Sequence, residues 1–542
     1  MWSNFLDLPQ ARQRAATLLF RFSFLILVFS GLLFSITCIA LLLGISVSKW
    51  QFPTAITISI GVYWWLAETK KERKWGVFIF LLLILLSALP SAWFYDVSFD
   101  GQMYHQLAID YLKKGWNPYF TSLDVSKHSG SLWINHYPRF SWICGSTVFA
   151  ITNNIEISKL FNWLLWAGSG CAVLSVILRI TQLSTFQSIA ASLLLIANPI
   201  NLNTSLSSFV DGHINALMLV LFSSLIFIFI EKDLRLSWWT SGISIVLLIN
   251  CKFTPLVYCV YFCAVFGLIL LLFSKKHLFW RWFKISVAAG FLGVGVFGFN
   301  PYISNIINDG HIFHPLMGEK GKDIQPAVYA LFPENFKNKN IFYKQFHSHF
   351  STTGINSVRS PLGSKLKIPF TFTKYEIERY AFASVVTGGF GVWFGGILLI
   401  TLLLLISIII QHWHYLKKLQ APAIIVCFLL GSVLIMPEGW FARYAPQFWL
   451  IPIIILITCF IFTTKKWVRY LCYLQSIIIV VNLFLMCGYF YYNIMTTNEI
   501  RNNLTALKAS KKTALVYMDT HYVNYLRFEK WGIPYKIVDS QD

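Results

Sequence analysis

Charge is what this sequence has least of. Only 12% of its residues are Asp, Glu, Lys or Arg, about half the share of a soluble domain, while 56% are hydrophobic. That balance excludes a soluble globular body. Acid is the scarcer sign, with 23 Asp and Glu against 44 Lys and Arg and a net charge of +21. The basic excess does not point to nucleic acid, because it clusters at the ends of apolar runs and no soluble basic domain carries it. CxxC pairs and Cys/His spacings are missing as well. The ten cysteines lie mostly inside apolar runs (Cys38, Cys171, Cys259, Cys263, Cys427 and Cys459) and read as small packing residues, which leaves out a disulfide framework or a zinc motif.

What the sequence has in abundance is long apolar runs. Segments 78–89, 217–230 and 397–410 are nearly free of charge, as helices crossing about 30 Å of hydrocarbon must be. Apolar runs set against charged breaks predict about thirteen spans, at 17–46, 52–68, 76–92, 155–178, 183–200, 207–231, 235–251, 254–273, 280–299, 386–410, 421–437, 446–463 and 468–491. Segment 141–152 is too short to span and reads as a re-entrant or interfacial helix. The first apolar stretch, 18–45, is too long for a signal peptide and lacks a small-residue cleavage site, so it reads as a retained helix. The expected fold is an all-α polytopic membrane protein with long outer loops and a small C-terminal α/β tail. Three regions follow: N-terminal accessory helices over 1–75, the main transmembrane module over 76–492 with loops 93–140 and 300–385, and the tail over 493–542.

Sidedness follows from the short basic connections. Arg12 and Arg14, the run Lys70-Lys71-Glu72-Arg73-Lys74, Lys275 and Lys276 with Arg281, Lys417 and Lys418, and Lys465 and Lys466 with Arg469 are all expected to be cytoplasmic, along with the N-terminus. The opposite side then receives both long loops, the turns at Asp211, Lys252 and 438–444, and the tail. In the tail, 513–517 and 535–538 look like short strands around a helix. That piece is too small for a core of its own, so it should pack on the outer loops.

The polar residues that could carry chemistry gather on that side. Asp96 and Asp100 are four apart and would share one face of a helix, with Tyr104 and His105 following and an amphipathic stretch, 107–114, lying in the interface and ending near Gly115. Asp100 could act as a general base toward a hydroxyl or cap that helix, and the roles are compatible. Thirty residues on stands Asn135-His136-Tyr137-Pro138-Arg139. Lys252 lies between two apolar spans, where a cation is costly, so it either meets an anion or snorkels to the interface. Arg443, beside Tyr444, could grip a phosphate or anchor an aromatic belt. Asp211-Gly212-His213 opens a long span, as a cap or as part of a cavity or metal site. His105 and His136 could bind a sugar or phosphate, or share a metal with Asp100. No cofactor is required by these residues, and a divalent metal ion stays open.

Asp100-Gly101-Gln102-Met103-Tyr104-His105 followed by His136-Tyr137-Pro138 resembles the first-loop signatures of GT-C glycosyltransferases, integral membrane enzymes that use polyprenyl-phosphate sugars. Asn300-Pro301-Tyr302 with Gly310-His311-Ile312-Phe313-His314-Pro315-Leu316 is similar to a later loop motif of bacterial members, and 436–446, containing Arg443-Tyr444, is similar to their late outer segment. The resemblance spans about 75–465. It implies a GT-C-like bundle and transfer of a sugar from a polyprenyl-phosphate donor to a glycolipid, cell-wall polymer or protein acceptor, at the outer face of a plasma or inner membrane. Asp100, with Asp96 beside it, would be catalytic. Tyr104, His105, His136, Tyr137, Asp211, Lys252, His311, Arg443 and Tyr444 would bind substrate. There are departures: two spans precede the usual first helix, the first loop lacks DxD, and His311 stands where many relatives have Asn. A transporter or flippase, or a polymerase of lipid-linked glycans, is the alternative; it would favour charges near the bilayer midplane over polar residues grouped at one surface.

Overall fold

A computed structural model describes residues 9–127, 130–325, 332–355, 363–380, 382 and 385–538. Among these residues eight helices are long and apolar enough to cross a membrane: Gln10–Leu42, Lys70–Trp93, Ile155–Ile180, Asp211–Phe229, Phe253–Leu272, Phe394–Gln411, Trp413–Leu434 and Lys466–Ser510. A ninth arises if Lys276–Val296 and Phe299–Asp309, bent by 72°, count as one span. These long apolar helices fit a multi-pass membrane protein.

The count of about thirteen is therefore not reached. The other four apolar runs form Gln51–Leu66, Thr185–Ile196, Leu234–Ile249 and Pro446–Phe462, none longer than 17 residues. Composition sets the length of an apolar run, but local backbone chemistry sets where a helix stops. In run 183–200 the helix ends at Ile196, since Asn198 accepts from the Ile200 amide and Pro199 starts a separate short helix, Pro199–Thr204. Twelve residues reach only about 18 Å, well short of the hydrocarbon thickness. Phe140–Thr152 is also short, as expected, but it is packed inside the protein against Gln10–Leu42 and Gln106–Lys113.

The first helix shares one core with the rest of the bundle. Phe29 stacks on Phe161 at 6.1 Å, and Arg12 donates to the Leu178 and Thr181 carbonyls at 2.9 and 3.2 Å. At the centre lies Asp211–Phe229, the most enclosed of the long helices. The helices run so that the lysine-rich turns at 70–74 and 275–276 sit at one end of the bundle. Trp93, Asp211, Phe253 and Pro446 meet the other end.

That other end carries the first loop. Its helix does not begin early enough to put Asp96 and Asp100 on one face. Phe94–Ser98 is non-helical, and the helix starts at Phe99, widens over Gly101–His105 and continues as Gln106–Lys113. Gly115, with φ +99°, ends it as expected. This helix is buried along most of its length, so it is covered by protein where an interfacial position was expected.

Phe140–Thr152 covers one side of that helix, and the tail adds to the cover. The last long helix continues through Gly488–Ser510, beyond the boundary near 492 read from hydropathy. Ala514–Val516 and Tyr535–Ile537 then pair as parallel strands, with helix Tyr525–Trp531 between them. Asn524 donates to Gln102 at 2.8 Å, Arg527 donates to the Asp96 carbonyl at 2.6 Å, and Tyr525 bonds the Asp110 carboxylate. The tail thus packs on the first loop, as its small size required. A second pair of strands, Gly354–Ile355 and Val385–Thr387, runs antiparallel, the latter reaching past loop 300–385 into the start of the expected span 386–410, whose helix begins only at Phe394.

Candidate active site

Four charged side chains from four separate segments meet at this end. Lys252 donates to one oxygen of Asp211 at 2.9 Å. Arg443 donates to the other through Nε at 3.1 Å, with a terminal nitrogen at 3.0 Å. The same terminal nitrogen reaches Asp100 at 3.4 Å. Two anions and two cations thus form a chain, Lys252, Asp211, Arg443, Asp100, and its formal charge is zero.

Each of these residues is held by local structure. Asp211 is the first residue of its helix and is wholly buried, yet its carboxylate does not cap the helix; both oxygens turn to the cations. Lys252 sits in the extended link between Leu234–Ile249 and Phe253–Leu272. That link is fastened by Asn250, which donates to Val246 and Gly293 carbonyls, and by Tyr302, whose hydroxyl donates to the Ile249 carbonyl at 2.5 Å. The ammonium lies 4.7 Å from the Tyr444 ring centre, so Lys252 turns inward to an anion and an aromatic face and does not snorkel. Arg443 is buried too, 4.2 Å from the Phe209 ring, and serves in an ion chain where a belt anchor was the alternative. Burial opposes its charge, but Asp211 and Asp100 outweigh that and raise its pKa above the usual value.

Asp100 occupies the accessible end of the chain. It has helical φ and ψ and makes no side-chain cap. Its carboxylate is 27% exposed, against 0% for Asp211. Tyr104, four residues on, has its ring 6.2 Å from that of Tyr137; burial above all, with Asp100 among the further causes, pushes both phenols up. Tyr137 packs on Phe253, which adjoins Lys252, at 4.9 Å.

Other expected residues fall elsewhere. Asp96 is fully buried and works as a structural clasp: one oxygen accepts from the Ser98 amide and hydroxyl, the other from the Ser208 amide at 2.6 Å. One oxygen serves its chain neighbour Ser98 and the other the distant Ser208, so Asp96 does not sit beside Asp100 as a second site carboxylate. His105 does not join Asp100 and His136 around a metal. Its Nδ1 accepts from Trp142 Nε1 at 2.7 Å, and burial takes the ring pKa down to about 3, so it packs as a neutral ring, tilted by 38° against Tyr104 at 4.3 Å. His311 accepts from the Phe313 amide inside its own turn. His136 faces a different cluster, with Asp309 and His314.

Two features escaped the sequence reading. Glu156 is a buried hub that accepts from the Asp96 amide, Gln106 and Lys159, and pairs with Arg527 of the tail at 3.4 Å. An acid at the head of an apolar run was the available signal. Asp309 has no such signal, because only folding brings it to His136.

Comparison with protein-family models gave no match for this chain, and comparison with curated proteins gave none either.

Proposed function

We propose that the chain is a membrane glycosyltransferase of GT-C type, moving a sugar from a polyprenyl-phosphate donor to a cell-envelope acceptor on the outer side of the membrane. The observation that supports this best is Arg443 bridging Asp211, which water does not reach, and Asp100, which it does. A phosphate headgroup needs fixed cations, and an attacking hydroxyl needs a base beside them. Both stand in one charge-balanced chain.

The 3.4 Å contact to Asp100 is the longest link in that chain, whereas Asp211 holds both cations at 2.9–3.1 Å. An arriving phosphate would compete with Asp100 for the outer nitrogen of Arg443. Asp100, released, then turns to the acceptor hydroxyl. The acceptor oxygen bonds to the anomeric carbon, the bond from that carbon to the phosphate oxygen breaks, Asp100 takes the proton, and the lipid phosphate leaves as an anion facing Arg443 and Lys252. Displacement in one step inverts the anomeric centre.

Sugar transfer in proteoliposomes supplied with a polyprenyl-phosphate sugar and a mixed extract of envelope acceptors tests the reading. Asp100→Asn should lower transfer by about 10²- to 10⁴-fold while the protein stays folded. Wild-type transfer by that variant, or movement of an intact lipid-linked glycan without transfer, would refute it.

A further inference from the structure

Beside the ion chain, two loops bring together a second set of ligating groups that the transfer chemistry above does not use. His136 comes from the first loop, and Asp309 and His314 come from the end of the bent helix and the turn after it. One ligand atom of each lies within 4.8 Å of the other two. His136 Nδ1 is 3.7 Å from Asp309 Oδ2, and His314 Nε2 is 3.9 Å from Asp309 Oδ1. Their imidazole rings meet edge to face at 4.6 Å.

We propose that His136, Asp309 and His314 bind one divalent transition-series cation, with zinc the best match, which ties the first loop to the 300–325 segment. Two imidazoles and one carboxylate suit zinc and its neighbours; magnesium and calcium prefer oxygen alone. In a tetrahedral site with bonds of about 2.0–2.1 Å, ligand atoms stand about 3.4 Å apart. The two nitrogens and one Asp309 oxygen lie within 4.8 Å of one another, and side-chain rotation on binding would draw them to that spacing.

The surroundings are built for such a site. Asn305 is buried, and its amide nitrogen donates to the backbone carbonyls of both His314, at 2.9 Å, and His136, at 3.3 Å. Its oxygen stands 2.8 Å from His136 Nδ1. That oxygen either yields the nitrogen to the ion or joins as a further ligand. Through its amide nitrogen Asn305 fixes the backbone of both histidines and so the directions of their rings. His314 is 5% exposed, with Nε2 toward Asp309 and a buried Nδ1 that has no hydrogen-bond partner among the described residues. Lys320 Nζ now lies 3.3 Å from Asp309, on a side chain 59% exposed, so it can swing away when a stronger cation arrives. His136 adjoins Tyr137, whose ring packs on Phe253 next to Lys252, so an ion here would stiffen one wall of the candidate active site.

The test uses tag-free, full-length protein in detergent, stripped with chelator and titrated with Zn²⁺ by calorimetry, with bound metal counted by mass spectrometry. One equivalent of zinc per chain is expected, and Co²⁺ should give the absorption of a low-symmetry nitrogen and oxygen site. Asp309→Asn, close to isosteric, should weaken zinc by more than about 10-fold, and Asn305→Ala by about 10- to 100-fold. His314→Ala should remove stoichiometric binding. Metal-free thermal unfolding identifies any variant that fails to fold, in which case Asp309→Asn decides. No stoichiometric zinc on the wild type, undiminished binding in Asp309→Asn, or a preference for Mg²⁺ over Zn²⁺ would overturn the proposal. None of these readouts depends on sugar transfer.

Discussion

Asp100 and Asp211 share a cation but differ in how far water reaches them, and that difference separates their roles. Asp211→Asn leaves the buried Lys252 without its carboxylate and Arg443 with only its longer contact to Asp100, and should cost about 3–5 kcal/mol in unfolding measurements. Asp100→Asn breaks a longer contact at the rim and should cost about 1 kcal/mol or less, with Arg443 still held by Asp211. Equal losses in the two variants would contradict this division. Lys252→Met should weaken donor use more than acceptor use, which a KM measured for each substrate would resolve; unchanged donor KM would leave Lys252 only its ion pair. His105 supplies a pH test. Its folded pKa, about 3, lies below the ordinary imidazole value of 6.5, so below pH 6.5 the unfolded chain takes up a proton that the folded one refuses. Its contribution is whole above pH 6.5 and declines as pH falls toward 3, by about 1.4 kcal/mol per pH unit. Thermal melts at pH 7 and pH 5 should therefore differ less for His105→Phe than for the wild type.

At the scale of elements, the first loop is set by close contacts around Gly101. A Cβ there would stand 2.3 Å from both Asp96 Oδ2 and Ser98 Oγ, so the Asp96 clasp and the start of the helix require glycine. Gly101→Ala should lower stability by about 1–3 kcal/mol and misplace Asp100. Gly61→Ala, where nothing lies within 4 Å, should be neutral or slightly stabilising, and melting the two variants side by side checks the contrast. The spacing of Asp96 and Asp100 invited a single helix face, but Asp96 finds amide donors in Ser98 and Ser208 and stays outside the helix. The tail shows the opposite case. Its two strand-like runs and intervening helix are legible because β-branched and aromatic residues alternate over a few positions between turn residues, and they form as read.

Across the whole molecule, the ion chain sits at the end opposite the lysine-rich turns at 70–74 and 275–276. If those turns are cytoplasmic, a cysteine at Ser126, which is exposed, should react with an impermeant thiol reagent on intact cells, and one replacing Lys71 should not. The reverse pattern would invert the proposed sidedness. The sequence by itself determined the membrane class, the helical content, the retreat of charge to the ends of the apolar runs and the identities of the polar residues there, because hydropathy and helix propensity act over windows of neighbouring residues. Only the tertiary structure decided how many runs become long helices, and that Lys252, Asp211, Arg443 and Asp100 form one chain while His136 turns to Asp309 and His314. Arg443 and Asp100 are 343 positions apart. Nothing local to either records the other, and the pairing exists only because packed helices carry both to one end of the bundle, where low dielectric makes an unpaired charge too costly to leave.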